Sequence, residues 1–245
     1  MSVFNGEAYL DEAIKSILLQ TYTDFEFIIL DDGSTDKSAQ IINRFLDKDK
    51  RIVFIKMEKN FGLAITPNFG IHKCKGKYII RMDADDISLP NRFEKQVAFM
   101  DSHPEIGLAG TWIRTFGDGD NRIIRFPLNP AIIKCSLLFN QVMCNASLII
   151  RRDVLQSNNL YFDASYRGAH DYDLIASTSK YVKLANIGEV LFLYRIHPKQ
   201  DTQQKIELNS QGAGMVRKKQ LGEIGIEPSQ EEYEVHQYLL NIMGH

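Results

Sequence analysis

Along the first two-fifths of the chain, apolar positions alternate between a helical and a strand spacing. Leu10, Ala13, Ile14, Ile17 and Leu18 share one face of a helix predicted over residues 7–20. Phe25 to Leu30 is a short apolar run that stops at Asp31-Asp32-Gly33-Ser34, the pattern of a buried strand followed by a turn. Ser34 or Asp36 can cap the next helix, whose inner face is Ile41, Ile42, Phe45 and Leu46. A strand is predicted over 52–57 and a helix over 63–74, with Pro67 tolerable only in its first turn. Lys77 to Met82 is a third strand, ending at Asp83-Ala84-Asp85-Asp86. Pro90 then opens a helix that turns Phe93, Val97 and Met100 inward. Strand and helix in alternation imply parallel strands, right-handed crossovers and a doubly wound α/β sheet. Ligands of such sheets bind beyond the carboxyl ends of the strands, where both acidic clusters fall.

The second half reads differently. Ile106 to Trp112 is a strand, Gly117-Asp118-Gly119-Asp120-Asn121 a turn, and Ile123 to Phe126 a hairpin partner. Ala146 to Ile150 is another apolar strand. Ala169 to Tyr181 contains a helix, and Val182 to Tyr194 holds two short strands broken by Gly188-Glu189. After Pro198 the chain turns polar. Pro228-Ser229-Gln230-Glu231-Glu232 starts a last helix with a capping-box pattern, and Val235, Leu239, Ile242 and Met243 form its inner stripe. Organisational boundaries are expected near residues 105 and 200.

Composition narrows the class. Across 245 residues, 29 Lys+Arg stand against 31 Asp+Glu. This near-neutral balance argues against a nucleic-acid binder driven by bulk charge. No apolar run approaches the ~18–20 residues that span a bilayer. The start, Met1-Ser2-Val3-Phe4-Asn5-Gly6, has neither the basic nor the apolar segment of a secretory signal. Cys74, Cys135 and Cys144 are odd in number and irregularly spaced, so they read as free thiols of a reducing, cytoplasmic compartment. The sequon Asn145-Ala146-Ser147 is then accidental.

Four features carry candidate chemistry. Asp83 and Asp85, spaced i and i+2 at a strand end, can converge on one hard cation. Mg²⁺ or Mn²⁺ needs one or two carboxylates when diphosphate and water supply the rest. An isolated acidic triplet would be read as a solvated turn; the strand before it and the second acidic cluster favour the metal. In that second cluster, a carboxylate at a strand end can accept from a base N–H or ribose hydroxyls, or simply cap a turn. His170-Asp171-Tyr172-Asp173 offers a general base at a helix start, or an acid complementing the helix dipole. In Tyr194-Arg195-Ile196-His197, Arg195 and His197 alternate on one side and can reach phosphate, or mark a strand end with an exposed Arg and a buried His. No P-loop and no G-x-G-x-x-G is present, so diphosphate must be held by metal and side chains.

Together these segments resemble a known family. Asn5-Gly6-Glu7, Gln20-Thr21-Tyr22, Asp31-Asp32-Gly33-Ser34-Thr35-Asp36, Asn60-Phe61-Gly62 and Asp83-Ala84-Asp85-Asp86 are similar to the family 2 glycosyltransferases of GT-A fold. The resemblance runs nearly continuously from residue 2 to about 110, resumes loosely at His170-Asp171-Tyr172-Asp173-Leu174 and Tyr194-Arg195-Ile196-His197, and fades after about 205. It implies a GT-A mixed sheet flanked by helices, with a helical C-terminal tail. Residues 1–105 would be the nucleotide-sugar-binding half, 106–200 the acceptor and catalytic-base half of the same domain, and 201–245 the tail. Asp32 would contact uracil or an equivalent base, with Phe4 and Glu7 lining the nucleoside pocket. Asp83 and Asp85 would be the D-x-D pair, Asp85 nearest a Mn²⁺ or Mg²⁺ ion. Asp171 would be the catalytic base, and Arg195 and His197 would sit near the diphosphate.

The implied activity is inverting, metal-dependent transfer of a sugar from a nucleotide-diphospho-sugar, a UDP-sugar first, to a saccharide or lipid-linked acceptor hydroxyl. The setting would be surface polysaccharide or glycolipid synthesis. Rival readings are a non-catalytic nucleotide-sugar-binding protein and a sugar-phosphate nucleotidyltransferase; the latter lacks its Gly-rich, Arg-containing start here. The chain departs from the family at His170, where Glu precedes the base, and at Ile175, where Trp is usual. Members also open with a longer apolar strand of the form Val-Ser-Val-Ile, of which Met1-Ser2-Val3-Phe4 matches only the end. The first strand is therefore expected to be truncated and the natural chain to start further upstream. Arg217-Lys218-Lys219 would let the tail touch an anionic membrane, placing the enzyme at the inner face, or form a solvated face.

Overall fold

The computed structural model describes residues 1–119 and 121–243, without the side chains of residues 201 and 239–243. Asp120 of the expected turn, and the side chains of Leu239, Ile242 and Met243 of the expected stripe, lie outside the described residues. Two sheets carry the chain. The first is parallel, with order β1 (Ser2–Val3), β2 (Phe27–Asp31), β3 (Ile52–Lys56), and α1 (Leu10–Leu18) and α2 (Ser38–Leu46) connect its strands. All five residues of β2 are buried, as a strand covered on both faces requires.

The helix α3 (Gly62–Lys73) leads into the second, mixed sheet. Its first strands are β4 (Tyr78–Ile80) and β5 (Ile87–Ser88), followed by α4 (Arg92–Ser102) and the long β6 (Ile106–Gly117). β7 (Ile123–Ile124) pairs with β6 as the expected hairpin. Then come α5 (Pro130–Ser136), a 3₁₀ turn at Asn145–Ser147, β8 (Ile149–Arg151), α6 (Arg152–Ser157), α7 (His170–Thr178) and β9 (Lys183–Ile196). The order across this sheet is β4-β8-β6-β9-β5. The tail is helical, with α8 (Asp201–Gln204), α9 (Ile206–Glu223) and α10 (Gln230–Met243). Among the described residues no helix is long and apolar enough to cross a membrane.

Several expectations change. Residues 183–196 form one strand, not two. Parallel pairing with β6 runs through Thr111↔Ile187, slips, and resumes at Trp112↔Val190, so Gly188-Glu189 is absorbed as a bulge. Pro67 lies in the second turn of α3, not its first. The start of that helix is held from outside by Asp32, described below, which offsets the intrahelical bond a proline removes. Ala146 and Ser147 belong to the 3₁₀ turn rather than to β8. The capping box at α10 forms: Ser229 N donates to Glu232 Oε2 at 2.8 Å, and Glu232 N donates to Ser229 Oγ at 3.3 Å. Its inner face is nevertheless Tyr233 and His236, and Val235 is 56% exposed. The basic triplet is no free patch. Arg217 is buried, Lys219 donates to the buried Asp173 at 2.6 Å, and Lys218 lies 4.7 Å from the Tyr233 ring. Cys74, Cys135 and Cys144 are all free thiols.

One core packs α1 and α2 on the first sheet through Leu10, Ile14, Ile17, Ile29 and Ile42, and it includes Ile113 and Phe192 from beyond residue 105. A second gathers Ile133, Leu155, Tyr172 and Ile175 around α5, α6 and α7. The Met1 nitrogen donates to Ile28 O at 2.9 Å.

Candidate active site

The carboxyl end of β2 runs into the turn Asp31 to Asp36, which is stitched to the loop after β1. Gly33 takes φ 76°, and a Cβ there would lie 2.7 Å from the Lys59 carbonyl carbon, so only glycine fits. Thr35 N donates to Asn5 Oδ1 at 2.8 Å, Asn5 N to Ser34 Oγ at 3.0 Å, and Gly6 N to Ser38 Oγ at 2.9 Å. Glu7 is held twice: Lys37 N donates to its Oε2 at 3.0 Å, and its own N–H donates to Asp36 Oδ2 at 2.9 Å. These bonds fix Phe4 and Glu7 on the rim of the turn, where Phe4 is 51% exposed.

Asp32 is buried beneath them and serves α3. Its Oδ1 accepts from Phe61 N at 2.8 Å and Thr66 Oγ1 at 2.6 Å, and its Oδ2 accepts from Gly62 N at 2.9 Å. A carboxylate has about four lone-pair sites, so it retains one for a ligand N–H. The sequence reading placed Asp32 at a base and missed this second duty. Asp32→Asn replaces an acceptor oxygen with an NH₂ facing a backbone N–H. It is expected to cost about 1–3 kcal/mol by urea denaturation, whatever it does to ligands.

The other acidic cluster stands on the turn between β4 and β5, since β4 ends at Ile80. The alternation expected of a strand therefore does not apply, and the two carboxylates find different neighbours. Asp83 Oδ1 accepts from Arg81 Nη2 at 3.4 Å, and its side chain is 43% exposed. Asp85 Oδ2 lies 2.9 Å from His197 Nε2. Asp86 is buried: its Oδ1 accepts from Arg195 N at 2.7 Å, while its Oδ2 has no partner among the described residues. Burial, then the charges of Asp85 and Asp83, push Asp86 well above the usual carboxylate range.

Arg195 braces this turn rather than facing open space. Its Nε donates to Asp85 O at 2.6 Å and its Nη2 to Glu12. The guanidinium is sandwiched 4.4 Å from the Tyr9 ring and 4.3 Å from the Phe116 ring. Of the two residues assigned to the diphosphate, His197 meets the Asp85 carboxylate, while Arg195 meets only the Asp85 backbone carbonyl. Its ring packs 4.8 Å from Tyr9. Tyr9 and Glu12 went unread in the sequence, and Asp86 was read only as a member of the acidic cluster; Glu12 of α1 gave no sign of a partner 183 residues away.

Asp171 begins α7. Its Oδ1 accepts from Tyr172 N at 2.9 Å, and its Oδ2 accepts from Gln141 Nε2 at 3.1 Å. Desolvation raises the Asp83 carboxyl, Arg81 opposes this, and Asp85 and then Asp171 raise it further. The base candidate and the acidic turn thus feel one another electrostatically. Asp173, two positions on, is buried against Lys219 and faces away from this arrangement.

The two carboxylates are hard donors suited to Mg²⁺ or Mn²⁺, whereas the His197 imidazole is a borderline donor that holds Asp85 by hydrogen bonding. Among the described residues no three His, Cys, Asp or Glu side chains are gathered closely enough to hold a metal ion by themselves. The set fits a cation that takes its remaining ligands from diphosphate and water.

Similarity to known proteins follows the same map. The model of glycosyl transferase family 2 matches residues 1–157. An uncharacterised glycosyltransferase of Haemophilus influenzae is 34% identical over 207 residues, 80% of this chain and 64% of that protein. The chain thus spans just under two thirds of that relative's length. The O-antigen biosynthesis glycosyltransferase WbnJ of Escherichia coli is 33% identical over 205 residues, 81% of this chain and 79% of its own length. Glucosyl-3-phosphoglycerate synthase of Mycobacterium tuberculosis, solved with Mn²⁺, UDP and glucosyl-3-phosphoglycerate, superposes with a TM-score of 0.63 at 17% identity, over 93% of this chain and 79% of that one. With the mixed sheet and the family match in agreement, the chain has the GT-A fold and belongs to glycosyl transferase family 2.

Proposed function

We propose that the chain transfers a sugar from a nucleotide-diphospho-sugar, a UDP-sugar first, to an acceptor hydroxyl with inversion at the anomeric carbon. The observation that carries this is the pairing of Asp85, on the acidic turn, with His197, just after β9, beside an Asp83 whose carboxyl is influenced by the charge of Asp171 on α7. Asp32, Phe4 and Glu7 border the other acidic turn, at the place where a base and ribose would lie. Asp85, with Asp83, would hold Mn²⁺ or Mg²⁺ whose other ligands come from diphosphate and water, and when bound the ion would supply Lewis-acid stabilisation of the departing diphosphate. Asp171 takes the proton of the acceptor hydroxyl through its free lone pairs while Gln141 and the Tyr172 amide fix its carboxylate. Arg195 keeps the acidic turn in place through the Asp85 carbonyl. One base and one in-line displacement give inversion without a covalent enzyme intermediate.

The relative named for O-antigen synthesis and the neighbour solved with UDP and Mn²⁺ support a nucleotide-sugar donor, a divalent cation and a saccharide acceptor. The test is a panel of UDP-, GDP- and dTDP-sugars with and without Mn²⁺, read by melting temperature and by nucleoside diphosphate release. The expected result is a Mn²⁺-dependent thermal shift with one donor class and slow release of its diphosphate. Binding without release under any acceptor mixture would reduce the protein to a nucleotide-sugar carrier. Pyrophosphate release from a nucleoside triphosphate would make it a nucleotidyltransferase.

A further inference from the structure

Arg92 stands at the first position of α4 and is fully buried. That placement is costly on three counts. A cation is disfavoured at a helix N-terminus, and a buried charge is expensive unless it is paired. Yet every acceptor that Arg92 meets among the described residues is neutral. Its Nε donates to Gln96 Oε1 at 3.0 Å, and its Nη1 lies 3.7 Å from Met82 Sδ. Its Nη2 donates twice, to Arg81 O at 2.8 Å and to Ala146 O at 3.1 Å. The guanidinium also lies 4.8 Å from the Phe192 ring. Burial draws its pKa down to about 9, with Cys144, then Asp86 and Asp83, opposing, so it stays a cation at neutral pH.

The two carbonyls on Nη2 belong to the two segments that carry the candidate chemistry. Arg81 leads into the acidic turn, two positions ahead of Asp83. Ala146 belongs to the 3₁₀ turn that ends the loop of Gln141. In that loop Gln141 Nε2 donates to Met143 O at 3.0 Å and to Asp171 Oδ2 at 3.1 Å. Gln96, also fully buried, tightens the same junction: its Nε2 donates to Ser147 O at 2.7 Å, and Ser147 Oγ donates to Cys144 O at 2.9 Å. One planar, fork-shaped cation therefore ties the acidic turn to the segment that holds the base candidate. An ammonium has no such fork and cannot serve Gln96, Arg81 and Ala146 together.

We propose that Arg92 is a positioning residue for the transfer: by joining the Arg81 and Ala146 carbonyls it sets the spacing between the Asp83/Asp85 pair and Asp171. This rests on the reading of those residues as cation ligands and base. Arg92 touches neither donor nor acceptor. It acts from behind the site, on the face of the acidic turn opposite in role to Arg195, which braces the Asp85 carbonyl.

The test compares Arg92→Lys with Ile42→Ala, a cut in the core of the first sheet that lowers stability without touching either turn. Folded fractions are read by calorimetry, Mn²⁺-dependent UDP affinity by titration, and kcat by diphosphate release from the donor chosen in the panel above. Arg92→Lys keeps the charge and loses the fork. It is expected to lower kcat per folded molecule ~100-fold, the scale of a 1 Å misplacement, and to weaken Mn²⁺-dependent UDP binding at least ~10-fold. Ile42→Ala should stay within about threefold of the parent on both. If Arg92→Lys does not fold, Gln96→Met decides: it frees Nε and the Ser147 carbonyl while leaving both Nη2 bonds, and should lower kcat about tenfold. Parent-like kcat and binding in folded Arg92→Lys, or parent-like kcat in Gln96→Met where the first variant fails to fold, overturn this proposal alone. A parent chain without Mn²⁺-dependent nucleotide binding or release overturns the proposed function and this inference with it.

Discussion

Asp85→Ala is expected to abolish transfer and to weaken Mn²⁺-dependent nucleotide binding at least ~100-fold, while the protein stays folded. The separation of effects follows from how Asp85 is held. Its backbone carbonyl, not its carboxylate, receives Arg195 Nε, and Asp86 receives the Arg195 amide. The brace on the acidic turn therefore survives the substitution. Among the described residues the carboxylate itself hydrogen-bonds His197 Nε2 alone, at 2.9 Å, and a partly exposed pair of this kind contributes ~0–1 kcal/mol. The melting temperature of the apo variant is expected to move by no more than a few degrees. Calorimetric titration of UDP with and without Mn²⁺ reads the ligand role directly. If the Mn²⁺-dependent part of binding is unchanged in Asp85→Ala, the carboxylate is not a metal ligand. Arg195→Ala is the contrasting case, because it removes the brace, the bond to Glu12 and the stack on Tyr9 and Phe116 together. Its main loss should appear in stability.

What was legible in the sequence was local. The inner faces of α1 and α2 and the run of β2 were readable because periodicity is a short-range signal, and burial follows it at Leu10, Ile14, Ile29 and Ile42. The capping box of α10 was legible for the same reason. Where a distant partner decides, the reading fell short. Gly188-Glu189 breaks a strand pattern, yet pairing with β6 carries the strand through it as a bulge. Pro67 sits one turn deeper than a helix start allows because Asp32, 34 residues earlier, holds the Thr66 hydroxyl. The acidic motifs marked the site correctly in kind, but roles depend on long-range pairs: Asp85 with His197, Arg195 with Glu12, Asp171 with Gln141. Gln141 in particular lies in a polar loop with no motif, and only the fold brings its amide to the base candidate. The Arg217-Lys218-Lys219 run was legible only in part: Lys218 is exposed, as a solvated face requires, whereas Arg217 is buried and Lys219 is drawn to the buried carboxylate of Asp173.

Asp171→Asn is expected to lower turnover by ~10²–10⁴-fold, the usual contribution of a positioned general base, with donor affinity unchanged. Asn has nearly the same shape, so the first turn of α7 and its neighbour Tyr172 should stay in place. Its carbonyl oxygen can still accept from either the Tyr172 amide or Gln141. What it cannot do is take a proton from an acceptor hydroxyl. The loss should therefore fall on kcat in the presence of acceptor. Mn²⁺-dependent nucleotide binding, which rests on the acidic turn, should match the parent chain within about threefold. Asp173→Asn supplies the control from the same helix. Positions i and i+2 of a helix lie on roughly opposite sides, and Asp173 spends its carboxylate on Lys219 Nζ at 2.6 Å. Removing that charge leaves Lys219 facing a neutral group in a largely buried pair, so Asp173→Asn should lower the melting temperature and leave turnover per folded molecule intact. Near-normal turnover in Asp171→Asn would remove it as the base. A collapse of turnover in Asp173→Asn at full folding would move the proton acceptor to the other side of α7.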